Sequence, residues 1–317
     1  MAILPNATSP RQRTIRTSIG CVGVGLHTGR RASLTLHSAP ADHGIVFRRT
    51  DLDGAPVLPA TWDRVADTRL CTLLADATRP ELRVGTVEHI MAALVAAGIT
   101  NALIDVDGPE CPILDGSAAP FVFLIDCAGT RDQDAAVTVI MPTRPVRVTD
   151  GTAFAELRPA LDMSALDIAM TIDFDAAAIG AQHIQLSATE AAIRAELVRA
   201  RTFTMADDVA KLRAAGLARG GSLDNAVVVE GAKVLNPGGW RMNGECVRHK
   251  ALDAVGDLAL AGVALRGRFA GHCSGHALNN RLLRAMFADP ANWHAIDTDC
   301  AIATTRGWHV RADAVAA

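Results

Sequence analysis

The segment RHKALDAVGD, residues 248–257, gives the strongest local signal in the chain. A helix advances by about 100° per residue, so it places one polar set of this segment in a single quadrant and one apolar set opposite. The polar set is His249, Lys250, Asp253 and Asp257, and the apolar set is Leu252, Val255, Leu258 and Ala259. We predict a helix from Glu245 to about Gly262 with a continuous polar stripe.

Segments before this helix alternate between strands and helices. Residues 87–97 predict a helix with Thr86 as its N-cap and Gly98 at its end, followed by a strand at 102–106. Shorter strands are predicted at 33–36, 45–48 and 70–74. Strands and helices mixed in this way predict an α+β fold of sheets layered against helices.

The length of 317 residues favours two domains of similar size. The polar segment CAGTRDQDAA at 127–136 precedes renewed strand-like alternation, and we place the boundary there. The predicted domains are an N-terminal α+β domain at 11–133 and a C-terminal α+β domain at 134–310. An SxxE capping-box pattern at 187–190 predicts a further helix in the second domain. No sequence repeat relates the halves.

Composition limits the possible partners and the compartment. A formal net charge of −3 provides no broad positive field for nucleic acid. The seven cysteines show no CxxC spacing, which favours free thiols in a reducing cytoplasm. The N-terminus does not resemble a signal peptide, and the most apolar windows are too short to span a bilayer. We expect a cytoplasmic protein with at most peripheral membrane contact.

A metal site is suggested by His249 and Asp253, because a His and an Asp one helical turn apart can reach one cation. HxxxD alone is a weak signal, and taken by itself it is better explained by an exposed His and Asp pair on a solvated helix face. His89 is the candidate third ligand, and Glu88 beside it could act as a base on the same site. A surface position at a helix N-terminus would also explain these two residues.

Several other motifs fail on inspection. The DLDG at 51–54 resembles the start of an EF-hand, but Trp62 stands where a calcium loop needs Glu. The glycine-rich run at 20–29 lacks the spacing of a phosphate-binding loop and reads as a turn. The absence of HExxH and GxSxG motifs argues against the HExxH metalloproteases and the serine hydrolases.

Nine segments in order resemble the UDP-3-O-acyl-N-acetylglucosamine deacetylase family. They are GVGLHTG (23–29), RRTDLDG (48–54), DTRLCTLL (67–74), TVEH (86–89), PILDGSAAPFV (112–122), RARTF (199–203), GGSLDNAVV (220–228), VRHKALDAVGDLAL (247–260) and SGHALNN (274–280). The resemblance runs from about residue 11 to about residue 310. It implies two similar domains, each a sheet packed on helices, facing each other across an active-site cleft.

The resemblance also implies a zinc-dependent hydrolysis of an N-acetyl group in lipid A biosynthesis. It assigns the metal to His89, His249 and Asp253, with iron(II) competing for the same ligands in the cell. Glu88 is then the general base and the Thr202 hydroxyl helps to stabilise the oxyanion. His276, held protonated by Asp257, stabilises charge or donates a proton to the leaving amine. Lys250 is assigned an assisting positive charge.

Further residues are assigned to the substrate, a UDP-linked acylated glucosamine. Phe174 resembles a position that stacks on uracil, although a buried strand Phe would look the same. The acyl chain is expected in an apolar slot that begins at Phe203, because burial of each CH₂ is worth about 0.8 kcal/mol. The predicted walls are Val209, Ala218, Leu223 and Val228, with Gly220 and Gly221 permitting close approach. Core packing would explain the same apolar residues.

The chain departs from the family pattern at two places. His272 and Cys273 stand near a position where many relatives carry Lys, which affects the expected contact with the diphosphate. Thr204 replaces a common glycine after RTF, which affects the expected entrance for the acyl chain. Cys71 resembles a family cysteine that can add an inhibitory metal ligand, and a buried strand thiol is the alternative.

Other interpretations remain open from the sequence alone. One is a protein of the same fold that binds nucleotide sugars or lipid without catalysis, which the presence of every catalytic residue type disfavours. Another is a metal amidase for a different N-acetylated sugar, which the segment at Cys273 keeps open. The apolar tail AVAA at 314–317 is similar to tails that deliver family members to a protease, which implies proteolytic regulation.

Overall fold

The computed structural model describes residues 10–160 and 165–297. Its first half forms nine strands and two helices. The strands are β1 (Arg11–Ile15), β2 (Ile19–Val24), β3 (Arg31–Ser38), β4 (Ile45–Arg49), β5 (Val57–Pro59), β6 (Val65–Asp67), β7 (Leu73–Ala75), β8 (Arg83–Val84) and β9 (Ala102–Val106). The helices are α1 (Glu88–Ala96) and α2 (Ala119–Ala128), and a 3-10 turn covers Trp62–Arg64.

The second half contains the remaining described elements. Its strands are β10 (Thr130–Ala136), β11 (Thr138–Pro142), β12 (Val146–Asp150), β13 (Ala153–Arg158), β14 (Leu166–Phe174), β15 (Gly180–Ser187), β16 (Phe203–Met205), β17 (Val227–Glu230), β18 (Lys233–Val234), β19 (Ala264–Leu265), β20 (Gly267–His272) and β21 (Trp293–Asp297). Its helices are α3 (Glu190–Glu196), α4 (Ala206–Ala214), α5 (Glu245–Ala259) and α6 (His276–Phe287), and a 3-10 turn covers Pro290–Asn292.

The two halves repeat one sheet topology. The first five-stranded sheet has the order β2-β3-β9-β4-β5, and the second has the order β12-β13-β20-β14-β15. In both sheets the strand that comes last in the sequence lies in the middle. It pairs parallel to one neighbour, β9 with β4 and β20 with β14. The other neighbours are antiparallel. The predicted α+β fold of two similar layered halves is confirmed.

The helices that precede and follow the central strands are also equivalent. Helix α1 precedes β9 and α5 precedes β20, while α2 and α6 follow those strands. Helices α1 and α5 pack against each other, and apolar residues of both halves form one buried core. The packing of α1 against α5 therefore brings together the two helices that occupy the same topological position in the two halves.

The polar segment at the expected domain boundary is not an irregular loop. Residues 127–128 end α2, and residues 130–136 form β10, which pairs antiparallel with β1. Arg13 in β1 also donates to Asp132 in β10 and to Glu190 in α3. The division into domains at 11–133 and 134–310 stays a prediction, and its last residues, like the tail at 314–317, lie outside the described residues.

Two predicted helix caps are wrong, although the helices are present. Thr86 lies at a φ of 56° and its hydroxyl donates to Glu110, so Val87 precedes α1 without a side-chain cap. Thr189, not Ser187, caps α3 by accepting from Ala192 N at 3.1 Å. At α1 the Thr86 hydroxyl is bonded to Glu110 instead, and at α3 Thr189 takes the cap position, and the spacing of polar residues reveals neither outcome. Among the described residues, no helix is long and apolar enough to cross a membrane.

Gly256 allows the backbones of α5 and α1 to approach each other closely. A Cβ placed there would overlap the carbonyl oxygen of Glu88 and lie 2.8 Å from its carbonyl carbon. We expect Gly256→Ala to lower the free energy of unfolding by about 1–3 kcal/mol, because the backbone of α1 must move to relieve the overlap. Unfolding by urea, followed by circular dichroism, measures this change.

Gly238→Ala provides the matched control. No atom lies within 4 Å of a Cβ at Gly238, and its φ is outside the left-handed region. This variant should be neutral or slightly stabilising, since alanine restricts the unfolded chain. Equal stabilities of the Gly256 and Gly238 variants would contradict the close approach of the two helices.

Candidate active site

Three predicted metal ligands meet where α1 contacts α5. His89 is the second residue of α1, and His249 and Asp253 lie one turn apart on α5. Asp253 Oδ1 lies 3.3 Å from His249 Nε2 and 3.8 Å from His89 Nε2. One potential ligand atom from each of the three residues lies within 4.8 Å of the others. The arrangement can hold one metal ion.

The three residues are buried, each with 4% or less of its surface exposed. The interpretation of His249 and Asp253 as an exposed pair on a solvated face is therefore wrong, as is a surface position for His89. The reason is that α5 is buried on both its apolar and its polar sides, which its amphipathic sequence does not indicate.

Both imidazoles are in the form that binds metal. Burial lowers the pKa of His89 to about 3 and also lowers the pKa of His249, so both are neutral near pH 7. His249 Nδ1 lies 3.0 Å from the carbonyl oxygen of Ala200, which fixes the proton on Nδ1 and leaves the lone pair on Nε2. Neutral imidazole is the ligand form for divalent ions.

Asp253 supplies the negative charge of this group. Burial alone would raise the pKa of Asp253, but His249, Lys250 and His276 outweigh it and lower the pKa overall. Lys250 Nζ donates to Oδ2 at 2.8 Å, whereas the buried Oδ1 has no hydrogen-bond partner among the described residues. An ionised oxygen without a partner between two neutral imidazoles fits a divalent cation.

Glu88, the first residue of α1, lies beside the three candidate ligands. Its side chain is 3% exposed, and burial raises its pKa to about 7, with Asp253 and Asp257 adding to the rise and His276 opposing it. Oε2 accepts from Thr72 N at 3.0 Å, and Oε1 lies 3.8 Å from His276 Nε2. A carboxylate with a pKa near neutrality is suited to accept a proton.

His276, the first residue of α6, lies on the other side of Glu88. Its Nδ1 donates to Asp257 Oδ2 at 2.8 Å, and Asn279 Nδ2 donates to the same oxygen at 2.8 Å. Burial lowers the pKa of His276, but Asp257, Glu88 and Asp253 outweigh it and raise the pKa to about 9. The predicted pairing of a protonated His276 with Asp257 agrees with this geometry.

A cavity of about 540 Å³ opens above these groups. Phe174 and Phe203 form one part of its wall, with ring centroids 5.4 Å apart in an edge-to-face arrangement. Thr202 also lines it, and its backbone is fixed by hydrogen bonds to Gly116 and from Val227. The cavity is also lined by three other predicted catalytic residues and by the three predicted metal ligands: Glu88, Lys250 and His276, and His89, His249 and Asp253. Asp257 lies behind His276.

A second cavity, of about 360 Å³, adjoins the first and has mostly apolar walls. Five predicted residues of the acyl slot line it: Val209, Ala218, Gly221, Leu223 and Val228. The residues common to both cavities are Leu26, Leu70, Thr202, Phe203 and Thr204. Gly220 does not line the cavity, but it packs so closely on the backbone of Gly25 that a Cβ would overlap it.

The glycine-rich run that we interpreted as a turn forms a wall between the cavities. Leu26 and His27 line the apolar cavity, and Leu26 also lines the first. The buried carboxylate of Glu110 holds the turn by accepting from His27 N and Thr28 N, both at 2.8 Å. Glu110 is a structural residue of the site that sequence analysis missed.

Thr72, Asn279 and Ala200 also support the site, and none of them was among the predicted site residues. Thr72 contacts both Glu88 and Asp257, Asn279 contacts Asp257, and Ala200 accepts from His249. The one sequence signal for them is that each lies inside a segment that resembles the family: Thr72 in DTRLCTLL, Asn279 in SGHALNN and Ala200 in RARTF. Such supporting partners become visible only with coordinates.

A family model described as UDP-3-O-acyl N-acetylglycosamine deacetylase matches residues 12–288 of this chain. The chain belongs to this deacetylase family. A deacetylase of this name from Acidithiobacillus ferrooxidans is 46% identical over 289 residues, covering 90% of this chain and 93% of the relative. The UDP-3-O-acyl-N-acetylglucosamine deacetylase from an Anaeromyxobacter species is 48% identical over 279 residues, covering 88% and 89%. The one from Myxococcus xanthus is 46% identical over 289 residues, covering 91% and 90%.

The departures from the deacetylase family pattern lie on or beside the catalytic cavity. Cys273 and Thr204 line it, and Cys273 has a φ of 47°. His272 stacks on Phe154 with ring centroids 5.7 Å apart. Cys71 is buried, and burial raises the pKa of its thiol to about 12, so it is a neutral thiol and not part of the group of three candidate ligands. Its inhibitory role stays a prediction.

Proposed function

We propose that the chain removes the acetyl group from UDP-3-O-(3-hydroxyacyl)-N-acetylglucosamine, giving UDP-3-O-(3-hydroxyacyl)-glucosamine and acetate in lipid A biosynthesis. Membership of the deacetylase family supports the reaction. The observation that carries the proposal is a single cavity that contains three kinds of group: the buried candidate metal ligands, a carboxylate with a raised pKa (Glu88) and a protonated histidine (His276). An apolar cavity adjoins it. Each part has a use in hydrolysing an acylated amide substrate.

His89, His249 and Asp253 would hold the metal, Zn²⁺ by the nature of the ligands, with Fe²⁺ as the competing ion in the cell. A divalent ion with three protein ligands supplies Lewis-acid activation of water and of the acetyl carbonyl. Lys250 balances the second oxygen of Asp253, which keeps Oδ1 directed at the two imidazoles.

Glu88 would accept the proton of the attacking water. Burial raises its pKa to about 7, so the carboxylate is a stronger base than an exposed one and is still substantially ionised near neutral pH. Thr72 N fixes Oε2, and Oε1 remains on the side of His276 for the proton. A proton accepted at Oε1 would lie close to His276, whose Nε2 is 3.8 Å from this oxygen.

His276 and Thr202 would stabilise the remaining charges. His276 carries a proton at neutral pH because Asp257 and Glu88 raise its pKa to about 9. It can therefore stabilise negative charge on the acetyl oxygen or donate to the leaving amine, which needs a proton before the C–N bond breaks. The Thr202 hydroxyl is the second donor to the oxyanion on the cavity wall.

The substrate would extend over both cavities. The acyl chain fits between Val209, Ala218, Leu223 and Val228, and Gly221 leaves room for it. Phe203 stands at the junction of the two cavities, and Phe174 offers its ring to the uracil in the first cavity. A nucleotide-linked substrate is consistent with an enzyme of the cytoplasm, where we propose that this chain works.

An assay of acetate release tests this function. We expect the purified enzyme to deacetylate the UDP-3-O-acylated substrate, to lose activity with dipicolinic acid, and to regain it with one equivalent of Zn²⁺, or of Fe²⁺ without oxygen. Mass spectrometry identifies the product, which is lighter by one acetyl group. Turnover that survives full metal removal would reject the metal mechanism, and tight binding of the UDP-sugar without acetate release would favour a non-catalytic binding protein. Acetate release only from other N-acetylated sugars would show that the enzyme acts on a different substrate.

A further inference from the structure

Thr72 lies at the end of the turn between β6 and β7, beside the active site. Leu70 in this turn has a φ of 68° and is 48% exposed at the edge of the cavities. Two residues later the chain has turned inward, and Thr72 is 1% exposed. The turn thus carries a polar side chain from the first half of the chain into the buried space between α1 and α5.

Every polar atom of Thr72 is engaged. Its hydroxyl donates to Asp257 Oδ1 at 2.5 Å, and its backbone N–H donates to Glu88 Oε2 at 3.0 Å. Its carbonyl oxygen accepts from Val87 N at 3.4 Å, the residue that precedes α1. One residue therefore contacts a carboxylate in each of the two facing helices.

The hydroxyl of Thr72 completes the set of donors around Asp257. His276 Nδ1 and Asn279 Nδ2 both donate to Oδ2, each at 2.8 Å, and among the described residues Thr72 supplies the side-chain donor to Oδ1. Asp257 is 2% exposed, so bulk water has little access to Oδ1 and an unpaired oxygen there would be costly. With the hydroxyl removed, the carboxylate can lower its energy only by rotating Oδ1 toward other donors, which disturbs Oδ2 and the ring of His276.

We propose that Thr72 is a positioning residue of this enzyme, which uses its hydroxyl and its N–H to hold the Asp257 and His276 pair in register with Glu88. The inference rests on the proposed deacetylase function. Thr72 does not line the catalytic cavity, so it acts through Asp257 and Glu88 and not on the substrate. The N–H contact depends only on the backbone, which makes the hydroxyl contact separable by mutation.

Thr72→Val removes the hydroxyl and keeps the shape of the side chain. We expect kcat to fall about 10- to 100-fold, the range typical for loss of a partner that orients a catalytic group, with KM and metal content unchanged. Thr72→Ser restores the hydroxyl and should recover kcat to within about threefold of the wild type, since the same hydrogen bond can form.

A double-mutant cycle separates positioning from general support of the fold. In a His276→Ala background there is no imidazole for Asp257 to orient, so adding Thr72→Val should change kcat by less than about twofold. If Thr72 only supports the fold, Thr72→Val should lower kcat by the same factor in both backgrounds, and that outcome would overturn the proposal. Retained kcat in Thr72→Val, or no recovery in Thr72→Ser, would also overturn it.

Thr14→Val is the matched control. Thr14 is fully buried in β1, its hydroxyl accepts from Ala39 N at 2.9 Å, and it lines neither cavity. This variant should melt at a lower temperature with kcat unchanged. All variants are compared by thermal unfolding and by bound metal per chain. If the wild type itself releases no acetate, the proposed function fails; if it does and the Thr72 variants match it, only the role of Thr72 fails.

Discussion

Glu88→Gln should lower kcat for deacetylation by about 10²- to 10⁴-fold, the usual contribution of a positioned general base. The amide keeps the size of the side chain and can still accept the Thr72 N–H at its oxygen, but it cannot accept a proton. Bound metal and KM should change little, because Glu88 is not one of the three candidate ligands. Acetate release over a range of substrate concentrations, together with metal analysis of the same samples, measures these quantities.

The control for this variant is Glu81→Gln. Glu81 has an exposed side chain that pairs with Arg79, away from both cavities. The same chemical change at this position should leave kcat unaltered. A Glu88→Gln enzyme that retains more than about a third of the wild-type kcat would exclude Glu88 as the base, because such a change is far below the lower limit for general base catalysis.

His249→Ala should deprive the enzyme of its metal and of almost all turnover. His249 Nε2 is one of only three candidate ligand atoms in the group, and its removal leaves Asp253 with His89 as the one other candidate ligand. Loss of a residue that hydrogen-bonds to a metal ligand already lowers metal affinity or activity by about 10- to 100-fold. Loss of a ligand itself should therefore lower metal affinity by more than about 100-fold. Bound metal per chain after dialysis, measured by plasma mass spectrometry, should fall from one to near zero.

His183→Ala distinguishes this loss from a general effect of removing a histidine. His183 lies exposed on β15, bonds to Thr171, and lines neither cavity. Its removal should leave both metal content and kcat intact. If His249→Ala retains one metal per chain after dialysis while circular dichroism shows a native fold, the proposed ligand set is incorrect.

The candidate site could be predicted from sequence to the extent that its residues share a local pattern. His249, Asp253 and Asp257 follow the helical repeat, so their common face on α5 was predictable. Their burial was not, because it depends on α1, which lies far away in sequence. His89 was a candidate third ligand from its place beside Glu88 in a predicted helix, but only the family resemblance assigned it to the same metal as this pair.

The repeated topology of the two halves was predictable only through the same resemblance. The strand order that β9 and β20 share is set by pairing between distant segments, and the sequences of the halves show no visible repeat. Local rules also failed at Thr86, whose hydroxyl bonds to the distant Glu110, and at Ser187, where Thr189 forms the local cap instead. Contacts such as Thr72 with Asp257 join residues that no local pattern relates.

The candidate ligands reside on two helices that hold equivalent places in the two repeats, α1 and α5. An ion bound there can recognise only the folded chain, because the unfolded chain keeps the ligands apart. Each tenfold increase of free ion above its dissociation constant therefore adds about 1.4 kcal/mol to the folding equilibrium. The concentration of free metal would then affect the stability of this protein as well as its rate.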